Sequence, residues 1–380
     1  MKIAIDARKI CKTVKQGVDV YSFNLILQLI NQNYNNELIL FSDKGLNHLP
    51  EFTDKAKIRV LGWPRSPILW TLLRLPLSLF AKSVDLLFMP VQYVPYFCPT
   101  KVVCTVHDLA FITHPSYFKP LKRILYSKMT TYSVKKACRI IAVSQSTKND
   151  LVKYYRIKPE KITVICHGYN RDLFKEKFSL EVIKKTKDKY GLADKNYILY
   201  VGELQPRKNI TTLIKAFNSV KDSITKYHLV IVGRKGWYYE DIFKHVENYK
   251  LHDRIIFTGY VPEKDLPVLM NQAKVFVYPS LYEGFGLPVI EAMACGAPVI
   301  TSNVSSLPEV AGDAAILVDP YNVDDIANAI YNVINDKELR ESLIYKGLKR
   351  AKEFSWEKAA KETLEVFEEV YNETKLIGKG

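Results

Sequence analysis

No aspartate in this chain is followed two positions later by another, so the D-x-D pair that grips a divalent ion is absent. The six cysteines (Cys11, Cys98, Cys104, Cys138, Cys166, Cys295) form no C-x-x-C pair and no ligand spacing, which removes zinc modules and dithiol redox motifs. Several stand in apolar runs, so reduced, buried thiols are expected. No apolar run reaches the ~18–20 residues of a membrane span. The first residues, Met1-Lys2-Ile3-Ala4-Ile5-Asp6, read directly as a strand and not as a signal-peptide core. A cytoplasmic protein is the expectation. Internal repeats and low-complexity tracts are missing too. Acids are scarce in one half only: residues 1–172 hold 11 Asp and Glu against 26 Lys and Arg, whereas residues 173–380 hold 29 of each. The whole formal excess of +15 therefore belongs to the first half. Such a surface draws nucleic acid, anionic lipid or phosphorylated substrates, and charge alone does not choose among them.

What is present is enough for two cores. A chain of 380 residues with 48% apolar content suggests two domains. Strand-like runs at 2–6, 37–41, 57–61, 85–89, 101–106, 139–143 and 162–166 alternate with helical patterns at about 18–32, 119–137 and 146–155. The second half repeats this, with strands at 197–201, 228–232, 254–257, 275–278, 298–301 and 315–317. Its helices are expected near 209–222, 238–250, 263–271, 288–295, 324–334 and 338–353. Alternation of this kind predicts α/β architecture, two doubly wound parallel sheets, with ligands at the carboxyl ends of strands and in the cleft between domains. Residues 1–172 form one predicted domain and 190–355 the other. The polar stretch 168–190 is expected to hold the linker.

The most informative segment is 278–298, YPSLYEGFGLPVIEAMACGAP. A buried strand, Val275 to Tyr278, leads into Glu283-Gly284-Phe285-Gly286-Leu287. Pro288 marks a helix start and Gly296 its end. Glu291 then lies in that helix, eight positions after Glu283. A helix N-terminus favours phosphate, and acids beside it are better suited to accept from hydroxyl groups. A second loop, Gly202-Glu203-Leu204-Gln205-Pro206-Arg207-Lys208-Asn209, follows the strand at 197–201, with Asn209 read as an N-cap. Its two cations suit a diphosphate, Arg207 as a bidentate fork and Lys208 as a compact charge.

Together these segments resemble the retaining, nucleotide-sugar-dependent glycosyltransferases of the GT-B fold, family 4, with their E-x7-E motif in a GFGLPVIEAMACG-x-PV context. The resemblance covers nearly the whole chain and is densest from Tyr197 to Asp319. It implies two Rossmann-like domains facing across a cleft, with a last helix (Trp356 to Tyr371, within about 356–380) crossing back onto the first. By the resemblance, Arg207 and Lys208 hold the diphosphate, and Glu291 holds ribose hydroxyls. Glu283 then holds hydroxyls of the transferred sugar, with a covalent nucleophile as its alternative role. The family is generally thought to use a front-face mechanism, in which the leaving phosphate deprotonates the acceptor. Gly259-Tyr260-Val261-Pro262 resembles the base-binding segment. Gly233 lines the same pocket or is a plain turn glycine. Gly202 and the amides near Gly286 and Leu287 complete the donor side. Without D-x-D, these cations and amides must carry the leaving charge, so no metal and no cofactor are expected beyond a GDP- or UDP-linked sugar.

On the other side, Val102 to Asp108 is a strand ending in His107-Asp108. Family members carry a histidine here that contacts the donor sugar near its 6-hydroxyl. Asp108 orients that ring or caps a turn; the sequence does not decide. His167-Gly168 reads as a turn. Gly17 precedes the helix at 18–32; the family often has two glycines there, and this chain has Gln16-Gly17. The basic segments Phe118 to Tyr126 and Arg65 to Arg74 mix aromatic, aliphatic and cationic groups. They suit either an anionic membrane face with a lipid-linked acceptor or an ordinary solvated surface. The expected function is transfer of a mannose- or glucose-type hexose to a glycan or lipid-linked acceptor in cell-surface polysaccharide synthesis. A same-fold 2-epimerase and a basic nucleic-acid-binding protein are the rivals. The latter lacks any reading motif.

Overall fold

The computed structural model describes residues 1–11, 17–32, 35–46, 49–53, 56–62, 66, 69–80 and 83–377. Gln16, and Arg65, Pro67 and Ile68 of the mixed basic stretch, lie outside these. The chain divides into two units, Met1–Gly168 with Ser355–Gly380, and Tyr169–Phe354.

The first unit is a seven-stranded parallel sheet. Its strands are β1 (Lys2–Asp6), β2 (Glu37–Ser42), β3 (Lys57–Val60), β4 (Leu86–Met89), β5 (Lys101–Val106), β6 (Arg139–Ala142) and β7 (Ile162–Val164), in the order β3-β2-β1-β4-β5-β6-β7. Order reverses between β1 and β4. The inner strands are apolar on both faces, as in β4 (LLFM, fully buried), because helices cover both sides. Those helices include α1 (Val18–Gln32), α2 (Leu75–Phe80, entered through a π turn at Trp70–Arg74), α3 (Pro120–Lys136) and α4 (Gln145–Tyr155). Ser144 caps α4 by accepting from Thr147 N at 3.0 Å. The C-terminal helix Trp356–Ile377 belongs to this unit. It packs on α1, sets Phe367 against Phe88 at 5.1 Å, and pairs Glu373 with Arg139. Gly168 is forced here: a Cβ on it would stand 2.1 Å from Trp356 N.

The second unit is a six-stranded parallel sheet, β8 (Asn196–Val201), β9 (Tyr227–Val232), β10 (Ile255–Gly259), β11 (Val275–Tyr278), β12 (Val299–Ser302) and β13 (Ala315–Val318). The order is β10-β9-β8-β11-β12-β13, so the reversal lies between β8 and β11. Its helices are α5 (Leu180–Lys189), α6 (Ile210–Val220), α7 (Glu240–Asn248), α8 (Leu266–Asn271), α9 (Leu287–Ala294), α10 (Leu307–Ala311), α11 (Val323–Asn335) and α12 (Lys337–Ala351). Helix α5 occupies the second half of the stretch expected as linker. It escaped notice because Thr186 is its one buried residue and no apolar face marks it. All six cysteines are free thiols. Cys104 and Cys295 are buried as expected, while the other four are half-buried.

Candidate functional site

In doubly wound sheets, ligands collect outside the carboxyl ends of the strands where the order reverses. In the second unit that point lies between β8 and β11, and both motif loops start there. After β8 the chain runs through Gly202 to a short 3-10 turn, Pro206–Lys208, and enters α6. After β11 it runs through Pro279 and Glu283 into α9. The two loops are stitched together. Leu281 N donates to Arg207 O at 2.9 Å. Asn209 adopts a left-handed conformation (φ 58°) and does not cap α6 with its side chain, contrary to expectation. Its amide instead donates to Pro279 O (3.1 Å) and Pro320 O (2.6 Å), tying both neighbouring loops to the turn.

Glu283 is the centre of this arrangement. Its Oε2 accepts from Arg207 Nη1 at 2.9 Å, and Oε1 accepts from Lys208 Nζ and from the Tyr278 hydroxyl at 3.0 Å. Lys208 also donates to Tyr278 at 2.6 Å, and Arg207 to the Tyr282 carbonyl. Glu283 and Lys208 are each 8% exposed, so this pairing stands in a weakly screened environment. Burial would raise the Glu283 carboxyl, but Arg207 and Lys208 outweigh it and hold it at about 2. Among the described contacts, two cations of this cluster face one acid. The backbone of the loop is fixed from behind: Glu283 N donates to Ser305 Oγ (3.0 Å), and Ser306 Oγ donates to the carbonyls of Glu283 (2.9 Å) and Phe285 (2.7 Å). Gly286, at φ 115°, makes the turn into α9, and a Cβ there would meet Leu307 at 2.8 Å.

Glu291 lies in the second turn of α9, not among first-turn acids that merely favour the dipole. Burial, with the like charge of Glu263, pushes its carboxyl up to about 8. The motif's two acids are thus opposites: Glu283 is a locked carboxylate, and Glu291 holds its proton near neutral pH. The carboxyl edge continues through β9 and β10. Gly202 N donates to Val232 O and Gly233 N to Gly259 O, each at 2.9 Å. A Cβ on Gly233 would lie 1.8 Å from Gly202 O, so this glycine exists for close strand approach. Val261 is buried, while Tyr260 is exposed and carries the Arg234 guanidinium 4.2 Å from its ring centroid. Gly284 lies in the loop after β11, and Leu287 opens α9. Tyr278, Ser305, Ser306 and Arg234 were not singled out from sequence. Only the strand-end position of Tyr278 offered a signal.

The first unit has its own cavity, about 1040 Å³, beyond the carboxyl ends of β1, β2, β4 and β5. Arg8, Lys9, Lys44 and Lys122 line it with Asp43 and Asp108, along with Tyr93 and Tyr126. Arg8 is committed: it forks onto Asp6 (3.0 and 2.8 Å), donates to Thr71 and lies 4.0 Å over Trp70. His107 forms part of the wall. Its Nε2 donates to the Pro90 carbonyl at 2.9 Å, which leaves Nδ1 as an acceptor. Burial lowers its pKa to about 4, so the ring is neutral at physiological pH. Asp108 accepts from Ala110 N at 3.1 Å and so caps a turn. His167 is buried between Tyr21 (4.8 Å) and Trp356 (5.5 Å). Gly17, at φ 37°, leads into α1 with open space beside it.

Two family models match consecutive halves of the chain: Glycosyltransferase Family 4 over residues 15–173 and Glycosyl transferases group 1 over residues 182–350. An O-antigen chain mannosyltransferase B of Escherichia coli is 33% identical over 371 residues, 92% of this chain and 95% of that protein. The serotype-specific mannosyltransferase WbdA, also of Escherichia coli, is 34% identical over 71% of this chain, which spans a third (33%) of its length. Among solved structures, HepE of Anabaena, in complex with UDP and glucose, aligns over 97% of this chain and 100% of its own, with TM-score 0.77 at 19% identity. The fold is GT-B, and the chain belongs to the group 1, family 4 glycosyltransferases.

Proposed function

We propose that this glycosyltransferase moves a mannosyl group from a nucleoside diphosphate sugar to a glycan or lipid-linked acceptor in O-antigen-type polysaccharide synthesis, with retention at the anomeric carbon. The observation that carries it is the Arg207–Lys208–Glu283 cluster at the strand reversal beside the α9 N-terminus. Paired cations held in a buried, preorganised frame are what a departing diphosphate requires. The sugar follows from the likeness to O-antigen mannosyltransferase B. A GDP- or UDP-linked donor accords with the UDP and glucose in HepE.

Glu291, protonated near neutrality, both donates to and accepts from ribose hydroxyls. Glu283 is poorly suited to be a nucleophile: both oxygens already accept charged or phenolic donors, and a carboxylate held at about 2 is a weak base. The front-face route fits better. The C1–O bond to the diphosphate breaks, the acceptor oxygen bonds to C1 on the same face, and its proton passes to the departing phosphate oxygen. His107, neutral with Nδ1 open to a hydroxyl donor, orients a sugar and moves no proton. Arg207, Lys208 and the first amides of α9 supply the charge that D-x-D enzymes take from a metal, so turnover persists in EDTA. Transfer is favoured over 2-epimerisation or nucleic-acid binding by the family match.

The test is donor turnover with a panel of nucleotide sugars plus EDTA, read as released nucleoside diphosphate. GDP-mannose or a UDP-hexose is expected to react and to raise the melting temperature. If none does either, the assignment fails; if turnover needs added metal, the metal-free part fails.

A further inference from the structure

A buried polar group that gives up water without gaining a partner destabilises the fold, so such groups are rare and ask for a reason. Exceptions gather where β8 and β11 pass into the two motif loops. The Tyr200 hydroxyl, the Gln205 carbonyl oxygen and the Ser280 hydroxyl are buried, and none has a hydrogen-bond partner among the described residues. Tyr200 is the one joined to Glu283 through Tyr278. Its ring stacks on that of Tyr278, with centroids 6.0 Å apart and planes 16° from parallel. Tyr278 in turn donates to Glu283 Oε1 at 3.0 Å and accepts from Lys208 at 2.6 Å. A Cβ on Gly202 would stand 2.6 Å from the Tyr200 oxygen, so this glycine keeps room for the phenol. Burial, and after it the charge of Glu283, push the Tyr200 phenol well above its ordinary range, and it keeps its proton as a donor.

Arg207 and Lys208 have two acceptors to serve. In the resting protein both are paired with Glu283. A bound diphosphate needs the same N–H groups. Glu283 then stays buried and ionised with two strong donors withdrawn, which is costly for a carboxylate out of water. A second phenol beside Tyr278, already stripped of water, is suited to replace them. Gln205 is not, since its unmatched atom is itself an acceptor.

We propose that Tyr200 is a positioning residue of the donor complex: its hydroxyl, idle at rest, donates to Glu283 when a diphosphate draws Arg207 and Lys208 away. The carboxylate turns toward the Tyr200–Tyr278 pair, no covalent bond changes and the phenol keeps its proton. Glu283 thereby remains fixed and ionised while the cations do other work. This rests on the reading of the cluster as the diphosphate site.

The experiment is titration calorimetry with GDP and with UDP, below the melting temperature of every variant, together with melting of the unliganded proteins. It compares wild type, Tyr200→Phe, Glu283→Gln and the double variant. Removing a hydroxyl that nothing satisfies should leave the unliganded Tyr200→Phe protein melting level with wild type or up to ~4 °C higher. The same variant should bind the nucleoside diphosphate that wild type binds ~10-fold or more weakly. In the Glu283→Gln background, Tyr200→Phe should change that affinity less than ~2-fold, because a neutral amide does not need the second donor. A clearly lower melting temperature for Tyr200→Phe shows a hydroxyl satisfied at rest and overturns the proposal. A ~10-fold loss that persists in the Glu283→Gln background also overturns it, since Tyr200 would then act without Glu283. Wild-type binding matched by Tyr200→Phe sinks this inference alone. No binding of GDP or UDP by wild type sinks the diphosphate reading and takes this inference with it.

Discussion

Replacing Glu283 with Gln removes the carboxylate that pairs with both Arg207 and Lys208 while leaving a side chain of the same size. The Glu283 carboxyl is held at about 2 instead of its ordinary 4.5, so its ionised form is favoured in the folded protein by ~3 kcal/mol. Breaking a buried pair from one side costs a similar ~3–5 kcal/mol, because the remaining charges are left uncompensated. The second unit should therefore melt ~6–12 °C lower in Glu283→Gln. Added pyrophosphate should return more of that loss in the variant than it adds to wild type, because the anion takes the place of the carboxylate between the two cations. The sign of the pH dependence is fixed. A carboxyl with a depressed folded pKa stabilises above its unfolded value, and that contribution fades as pH falls from 4.5 to about 2. The gap between wild type and variant should narrow over that window. Differential scanning fluorimetry over pH and pyrophosphate concentration reads all of this. A variant melting within ~1 °C of wild type at neutral pH would refute the account of the cluster.

Arg207→Ala and Lys208→Ala should each weaken donor binding ~100-fold or more, measured by calorimetry with the nucleoside diphosphate; unchanged affinity would place the diphosphate elsewhere. Glu291, pushed up to about 8, costs the folded state progressively as pH rises from 4.5 through 8. Glu291→Gln should accordingly match wild-type melting in acid and exceed it in alkali, while raising the donor KM. Gly233→Ala would set a methyl 1.8 Å from the Gly202 carbonyl, so loss of soluble expression or at least ~3 kcal/mol of stability is expected, judged by denaturant titration.

The strands were legible because parallel strands buried on both faces leave continuous apolar runs such as Val275–Tyr278. The loops were legible because Gly286 and Pro288 punctuate the turn into α9, where the backbone needs φ 115° and then a helical start. Other features depended on contacts across the sheet. Nothing near Tyr278 in sequence announces Lys208, seventy positions earlier, and Ser305 and Ser306 belong to a loop after a different strand. Asn209 looked like a cap because asparagine commonly is one; its amide was claimed by two carbonyls from other strand ends. The segment Arg65 to Arg74 was read as a mix of aromatic, aliphatic and basic groups and not as a helix start, since the turn at Trp70–Arg74 and the helix that follows lack the one-sided period that betrays an amphipathic helix.

The placement of the C-terminal helix sets an order of assembly. Residues 169–354 form a continuous unit, whereas the unit that begins at Met1 needs Ser355 onward to cover α1 and complete the Tyr21–His167–Trp356 stack. During synthesis, the half made first is thus the half finished last. The nascent N-terminal sheet must wait, with α1 uncovered, through the synthesis of the entire second unit, which has all its own parts and can fold meanwhile.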